Sequence, residues 1–330
     1  MHRVTLNSPA PVIRKAQTAA LFLLLSALWL SPARLNAQAF SQLAFSASGT
    51  EVPLAPAPSE ATRYTAAPGF NVYFLSVGQG DAIYIELPNG QNALIDGGPS
   101  ASGAGLASFF AGKNVTKIDH VVLTHPHSDH YNGLQYVFSN LSVGNFYDTR
   151  LDNTGASTDN KLRDQVSSLG VNTVYPAPGD SLSWGAGGVG AKVFNSCPAQ
   201  QKSSGENVND CSIVLKLSYR GASVLFTGDA SAAIEARMVA AFGSELKADV
   251  LKVGHHGSKY SSSQAFLNVV KPAKAYIEVG KNNYGHPTPA ALDRLAAAGA
   301  QIFRTDLDGT LEYSPFAALL ASAGGVVSLN

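Results

Sequence analysis

Alternating apolar and polar positions begin at Asn71. "NVYFLSV" (71–77) and "DAIYIEL" (81–87) are rich in β-branched and aromatic residues and predict strands. "PNGQ" turns the chain through Asn89-Gly90, a hairpin dipeptide, into "NALIDGG". "HVVLTH" (120–125) reads as a buried strand, and "NFYDT", "NTVYP" and "AKVFN" as shorter ones. "SIVLKLSY" and "SVLFTGD" predict a second hairpin around Arg220-Gly221. Beyond it, strands "ADVLKVG", "KAYIEVG" and "QIFRT" alternate with helical patterns over 231–242, 262–270 and 288–299. No repeat of solenoid period is present. Hairpins first and βα units later predict an α/β domain of the α+β type, a mixed-sheet sandwich with helices outside.

The first 70 residues follow a different pattern. A basic stretch ends at Arg14-Lys15, then comes the apolar run "AALFLLLSALWL" and the small-x-small site Ala37-Gln38-Ala39. The run is shorter than the roughly 20 residues of a spanning helix. The expectation is a cleaved export signal over 1–39, with an uncleaved anchor as the alternative. The mature protein would then start near Phe40, work in the periplasm or outside the cell, and keep no stable membrane span. Residues 40–68, rich in Ala, Ser and Pro, read as a linker. Residues 69–316 form the globular domain and 317–330 a tail.

Composition allows a sizeable core, since 45% of residues are hydrophobic and 14% charged. The formal charge is zero, but the first 39 residues hold four bases and no acid. The rest therefore carries 19 basic and 23 acidic residues, a net of −4. A chain of that sign lacks a global basic field, so any nucleic-acid contact would be weak and local. Cys197 and Cys211 are the two cysteines. In an oxidising compartment they are expected to pair. Two buried free thiols are the alternative. A two-cysteine zinc site is disfavoured because no histidine lies between 131 and 254.

Polar residues gather where strands end. Asp96 follows "ALI", "THPHSDH" follows "HVVL", Asp229 follows "SVLFTG", and His255-His256 follow "ADVLKVG". His286 comes after "YIEVGKNNYG". Loops at strand C-termini are where α/β scaffolds build their sites. Of eight histidines, only His2 and His120 fall outside this set, and His120, at a strand start, reads as structural. His125 and His127, two apart in an extended turn, can share one ion. Asp129 and His130 project differently and can serve a second, and Asp229 can bridge both. Mixed N/O donors suit zinc, and also manganese or iron. Asp96 is expected to orient ligands by hydrogen bonding.

"THPHSDH" resembles the His-x-His-x-Asp-His signature of the metallo-β-lactamase fold superfamily. "VGQGDAIYIELPNGQNALIDGG", "NDCSIVLKL", "LFTGDA", "LKVGHHGSKYSSS", "NNYGHPTP" and "RTDLDGTLEY" follow the order seen in the hydrolase domain of ComEC-like competence proteins and their soluble relatives. The resemblance covers about 70–315. It implies a four-layer αββα sandwich of two mixed sheets holding one or two divalent ions, zinc or manganese. His125 and His127 correspond to ligands of the first ion, and Asp129 and His130 to ligands of the second. Asp229 corresponds to the bridge, and one of His255 and His256 completes the second ion. Asp96 corresponds to the supporting aspartate. His286 corresponds to a phosphate-contact or proton-transfer residue alongside catalytic Asp129, and Ser258 and Lys259 are further phosphate-contact candidates.

Two departures stand out. The mid-chain histidine of many members is replaced by "NVNDCS", with Asn209, Asp210 and Ser212, which leaves the first ion short of a ligand. Ser76 stands where the branch usually has an aspartate. The implied activity is phosphodiester hydrolysis, in nucleic acid or a smaller ester, by a metal-bound hydroxide. A β-lactamase or lactonase-type amide or ester hydrolase is one alternative, and a non-catalytic envelope binding protein that retains the fold is another.

Overall fold

The computed structural model describes residues 69–184 and 188–316. The expected export signal, linker and C-terminal tail lie outside the described residues. Seven strands form one sheet, in the spatial order Leu311–Tyr313, Asn71–Phe74, Ile83–Glu86, Asn92–Ile95, Lys117–Val122, Ser142–Tyr147 and Asn172–Val174. Six form a second: Gln301–Arg304, Lys274–Ile277, Val250–Lys252, Ala222–Phe226, Val214–Tyr219 and Gly190–Asn195. Leu151–Asn153 pairs with Gln201–Ser203 in a small separate ribbon.

The period of two along each strand explains the layering. Val72 and Phe74 point inward and pack with Leu215, Phe226 and Tyr276 of the second sheet. Phe74 and Tyr276 stack across the interface with centroids 4.3 Å apart. Tyr73 faces the other way, into a cluster with Leu106, Phe110, Leu134 and Leu162 from helices on that side. Leu225 and Leu251 of the second sheet likewise meet Ile234, Phe266 and Leu295 from helices on theirs. Helices, two sheets and helices again make the four expected layers. Each buried Leu or Phe contributes about 1.5–3 kcal/mol, so the layers hold largely by apolar burial.

The two predicted hairpins form, with registers Ile83↔Ile95 and Leu217↔Val224. One expectation is corrected. The βα units are not confined to the later half, because Asn92–Ile95, Lys117–Val122, Ser142–Tyr147 and Asn172–Val174 already run parallel. Their helices, Gly103–Gly112, Leu134–Asn140 and Thr158–Ser168, escaped the pattern. The predicted helices are present as Ala232–Phe242, Gln264–Val270 and Pro289–Ala297. Ser263 and Thr288 cap the last two by accepting from the Phe266 and Ala291 N–H groups.

Cys197 and Cys211 form a disulfide, beside buried Val208 and Leu151. Among the described residues no helix is long and apolar enough to cross a membrane.

Candidate metal centre

Parallel strands deliver their C-terminal ends to one edge of the sandwich. The strand Lys117–Val122 leads into His125, after which a short helix, Ser128–Tyr131, turns Asp129 and His130 inward. Asp96, fully buried and with φ +58°, anchors this loop. Its carboxylate accepts from the Thr124 N–H at 2.8 Å, the Thr124 hydroxyl at 2.7 Å and His130 Nδ1 at 2.8 Å. The Thr124 hydroxyl, having donated to Asp96, is an acceptor for His125 Nδ1 at 3.0 Å. These partners place a proton on Nδ1 of both rings and turn both Nε2 atoms toward the centre. His127 Nδ1 lies 3.0 Å from His125 Nε2.

Asp229 enters from the strand Ala222–Phe226, its N–H held by the Ser212 hydroxyl at 3.0 Å. Asp229 Oδ2 is a hub, with the Nε2 atoms of His130, His256, His255 and His125 at 3.4, 3.5, 3.7 and 3.8 Å. His255 and His256 both adopt positive φ, +49° and +52°, which aims two consecutive rings at one place. For non-glycine residues that conformation is strained and found where the surrounding structure enforces it. His256 Nδ1 donates to the Glu278 carbonyl at 2.9 Å, which turns its Nε2 toward Asp129 Oδ2, 3.4 Å away. His255 Nε2 also approaches Glu206, at 3.9 Å.

This donor set fits a divalent cation. Asp229 Oδ1, His130 Nε2 and His256 Nε2 are buried without hydrogen-bond partners. An orphaned buried polar atom is costly, and a cation satisfies all three. His125, His130 and Asp229 offer ligand atoms within 4.8 Å of one another, as do Asp129, His130 and His256. Burial alone would push the imidazoles of His130 and His256 down. Asp229 with Asp96 and Asp129 holds the first well above the usual histidine range, and Asp229 with Asp81 raises the second to about 10. Burial would raise the Asp229 carboxyl, yet His256 and His130 keep it well below the usual range. The site is thus dense in charge that a metal ion would organise.

An open cleft of ≈ 540 Å³ adjoins the centre, lined in part by His127, Asp129, Asp229, Ser258, Lys259 and His286. Ser258 is buried and Lys259 exposed. His286 stands 5.4 Å from His255, ring to ring, and its Nδ1 is buried without a partner. Burial, with His255 and His256 nearby, lowers its imidazole to about 4. Every residue singled out in the sequence for metal or substrate contact therefore lies at this edge. Of the two departures, Ser212 supports Asp229, whereas Ser76 bonds Thr305 and Thr310. Three buried charged residues behind the centre, Asp81, Lys252 and Glu278, were missed. Only Lys252 of the three lies within a strand, and its alternation alone does not show that both faces of that strand are covered. Glu206, on the cleft wall, was missed too.

Fold and donor cluster together define a metallo-β-lactamase-fold domain, and residues 75–187 match the metallo-beta-lactamase superfamily model. The chain is similar to competence protein ComA of Neisseria gonorrhoeae, at 30% identity over 72% of this chain and 31% of that protein. It is also similar to ComE operon protein 3 of Bacillus subtilis, at 28% identity over 73% and 32%. The chain spans about a third of the length of these curated relatives. Among solved structures, a CmlA beta-hydroxylase variant superposes with a TM-score of 0.50 at 14% identity, covering 75% of this chain and 54% of that one. That likeness concerns the fold alone.

Proposed function

We propose that the protein is an exported metal-dependent phosphodiester hydrolase. The observation that carries this reading is the set of orphaned donors on Asp229, His130 and His256, beside a cleft with a cationic side chain. His125 and His127 would hold one ion, Asp129, His130 and His256 the other, with Asp229 between them. When bound, such ions supply Lewis acidity and lower the pKa of water. Asp96, directly at His130 and through Thr124 at His125, fixes the orientation of both rings with Nε2 toward the centre. His286, neutral at pH 7, offers one N–H to a phosphoryl oxygen and one bare nitrogen to a proton. Lys259 and Ser258 line the same cleft and suit an anionic substrate, whose charge spreads over several oxygens as the ester breaks. The similarity to a protein named for competence motivates testing nucleic-acid and nucleotide esters ahead of amides.

The test is metal analysis of purified protein alongside turnover of bis(p-nitrophenyl) phosphate. Bound zinc or manganese with ester cleavage supports the reading. Bound metal with no turnover of any ester favours a binding protein that retains the fold.

A further inference from the structure

A fully buried lysine lies behind the metal centre. Lys252 closes the strand Val250–Lys252 in the middle of the second sheet and is 0% exposed. Its ammonium pairs with Asp81 and reaches the Gly228 carbonyl at 3.5 Å, one residue before Asp229. Asp81, 1% exposed, comes from the loop that leads into the strand Ile83–Glu86 of the other sheet. Its Oδ1 lies 3.2 Å from His256 Nδ1, its Oδ2 3.8 Å from His130 Nδ1, and its N–H donates to the Asp129 carbonyl at 3.3 Å. Gly80 makes that approach possible, since with φ +143° a Cβ there would stand 2.2 Å from the Asp129 carbonyl oxygen. Glu278 completes the arrangement by accepting the Ala82 N–H at 3.0 Å through its side chain and His256 Nδ1 through its carbonyl.

A buried ion pair is weak evidence for stability, because apolar residues of similar volume often do as well or better. Here the pair touches the loops of Asp129, Asp229 and His256 at once. Asp81 also lies within ligand range of Asp229 and His256, so a free Asp81 carboxylate would compete for the ion. The ammonium of Lys252 occupies Asp81 Oδ2 and leaves Oδ1 beside His256 Nδ1.

We propose that Asp81 and Lys252 are positioning residues for the ion held by Asp129, His130 and His256. Asp81 fixes the His256 ring with Nε2 toward Asp129 and Asp229. Lys252 holds Asp81 to orienting rather than coordinating. The inference rests on the metal-site reading above.

Zinc titration of the metal-free protein by calorimetry tests it, with thermal melting of each metal-free variant. The relevant binding step is the one that persists in His125→Ala. In the charge-neutral double variant Asp81→Leu/Lys252→Met that step is expected to weaken about 10–100-fold, the usual scale for a lost orienting partner. Melting of the metal-free double variant should stay near wild type. Asp81→Asn should weaken the step less, because its amide oxygen can keep the place beside His256 Nδ1, and this single variant suffices as the test if the double variant does not fold. Wild-type zinc affinity in these variants overturns the inference and leaves the metal-site reading standing. Absence of zinc binding by the wild type overturns both.

Discussion

The carboxylate of Asp229 meets four imidazoles with a single oxygen. Asp229→Asn would replace that charge with an amide, a far poorer bridge between two cations. His125→Ala would remove one donor from the ion that already lacks the mid-chain histidine. Asp229→Asn should therefore abolish turnover at least as completely as His125→Ala, and lose more bound metal. Metal content and turnover of the two purified variants decide this, and a fully metallated, active Asp229→Asn would refute the bridging role. His120 tests a different use of histidine. It stacks on Trp184 with centroids 5.0 Å apart and lies near the Tyr147 hydroxyl and Gln91. Burial lowers its imidazole to about 4, against Asp119, which raises it, and with Lys117, which lowers it further. The unfolded ring takes up its proton near pH 6.5, so the folded protein resists protonation between 6.5 and about 4. Stability from this site is fully present above pH 6.5 and falls as the pH drops through that window. The melting temperature of His120→Phe relative to wild type should rise as the pH falls from about 7 to about 4.5, and a constant gap would contradict the assignment. The centre's histidines were legible because they stand consecutively where a strand ends. Lys252 was not, because "VLKV" is also what a half-exposed strand looks like, and only the packed sheet shows that both faces are covered.

Among elements, strands were easier to read than helices. "GAGLASFFAG" forms the helix Gly103–Gly112 despite three glycines, a residue that costs about 1 kcal/mol against Ala in a helix interior, because Leu106 and Phe110 dock on the first sheet. "TDNKLRDQVSS" is polar nearly throughout and buries Leu162 and Val166, one turn apart. Tertiary packing decides both cases, and local pattern does not contain it. The segment between the cysteines shows a similar dependence. The disulfide spans a sequence separation of 14, and Cys211 directly precedes Ser212, which holds the Asp229 N–H. A loop of that size stabilises the fold by about 3 kcal/mol in the chain-entropy model. The variant Cys197→Ser/Cys211→Ser should melt about 6–12 °C lower, taking about 2–4 °C per kcal/mol for a domain of this size. Calorimetric melting of oxidised wild type against the variant measures it, and equal melting temperatures would show that the bridge contributes nothing.

For the whole molecule, alternation along the strands revealed the two-sheet sandwich, while partners distant in sequence stayed hidden. Leu311–Tyr313 pairs with Asn71–Phe74 across nearly the entire domain, and nothing local in either segment specifies that choice. The same long-range closure brings Asp81, Asp129, Asp229 and His256 to one edge, and it shapes the expected substrate. The cleft holds Lys259 and neutral His286, but the chain beyond its first 39 residues carries a net charge of −4. A local cationic contact without a basic field should bind long DNA weakly and with modest salt dependence. Small phosphodiesters and short single strands should therefore be cleaved as well as long duplex, and nitrocefin hardly at all. His286→Ala should lower turnover by roughly a hundredfold, the lower end of the scale for a positioned acid or base, with bound metal unchanged. The measurement is turnover of bis(p-nitrophenyl) phosphate, short strands, duplex and nitrocefin, each with zinc and with manganese, at two salt concentrations. Rapid nitrocefin hydrolysis with no phosphodiester cleavage under either metal would replace the proposed activity with amide hydrolysis. A steep salt dependence confined to long duplex would instead point to a basic contact surface that the net charge does not reveal.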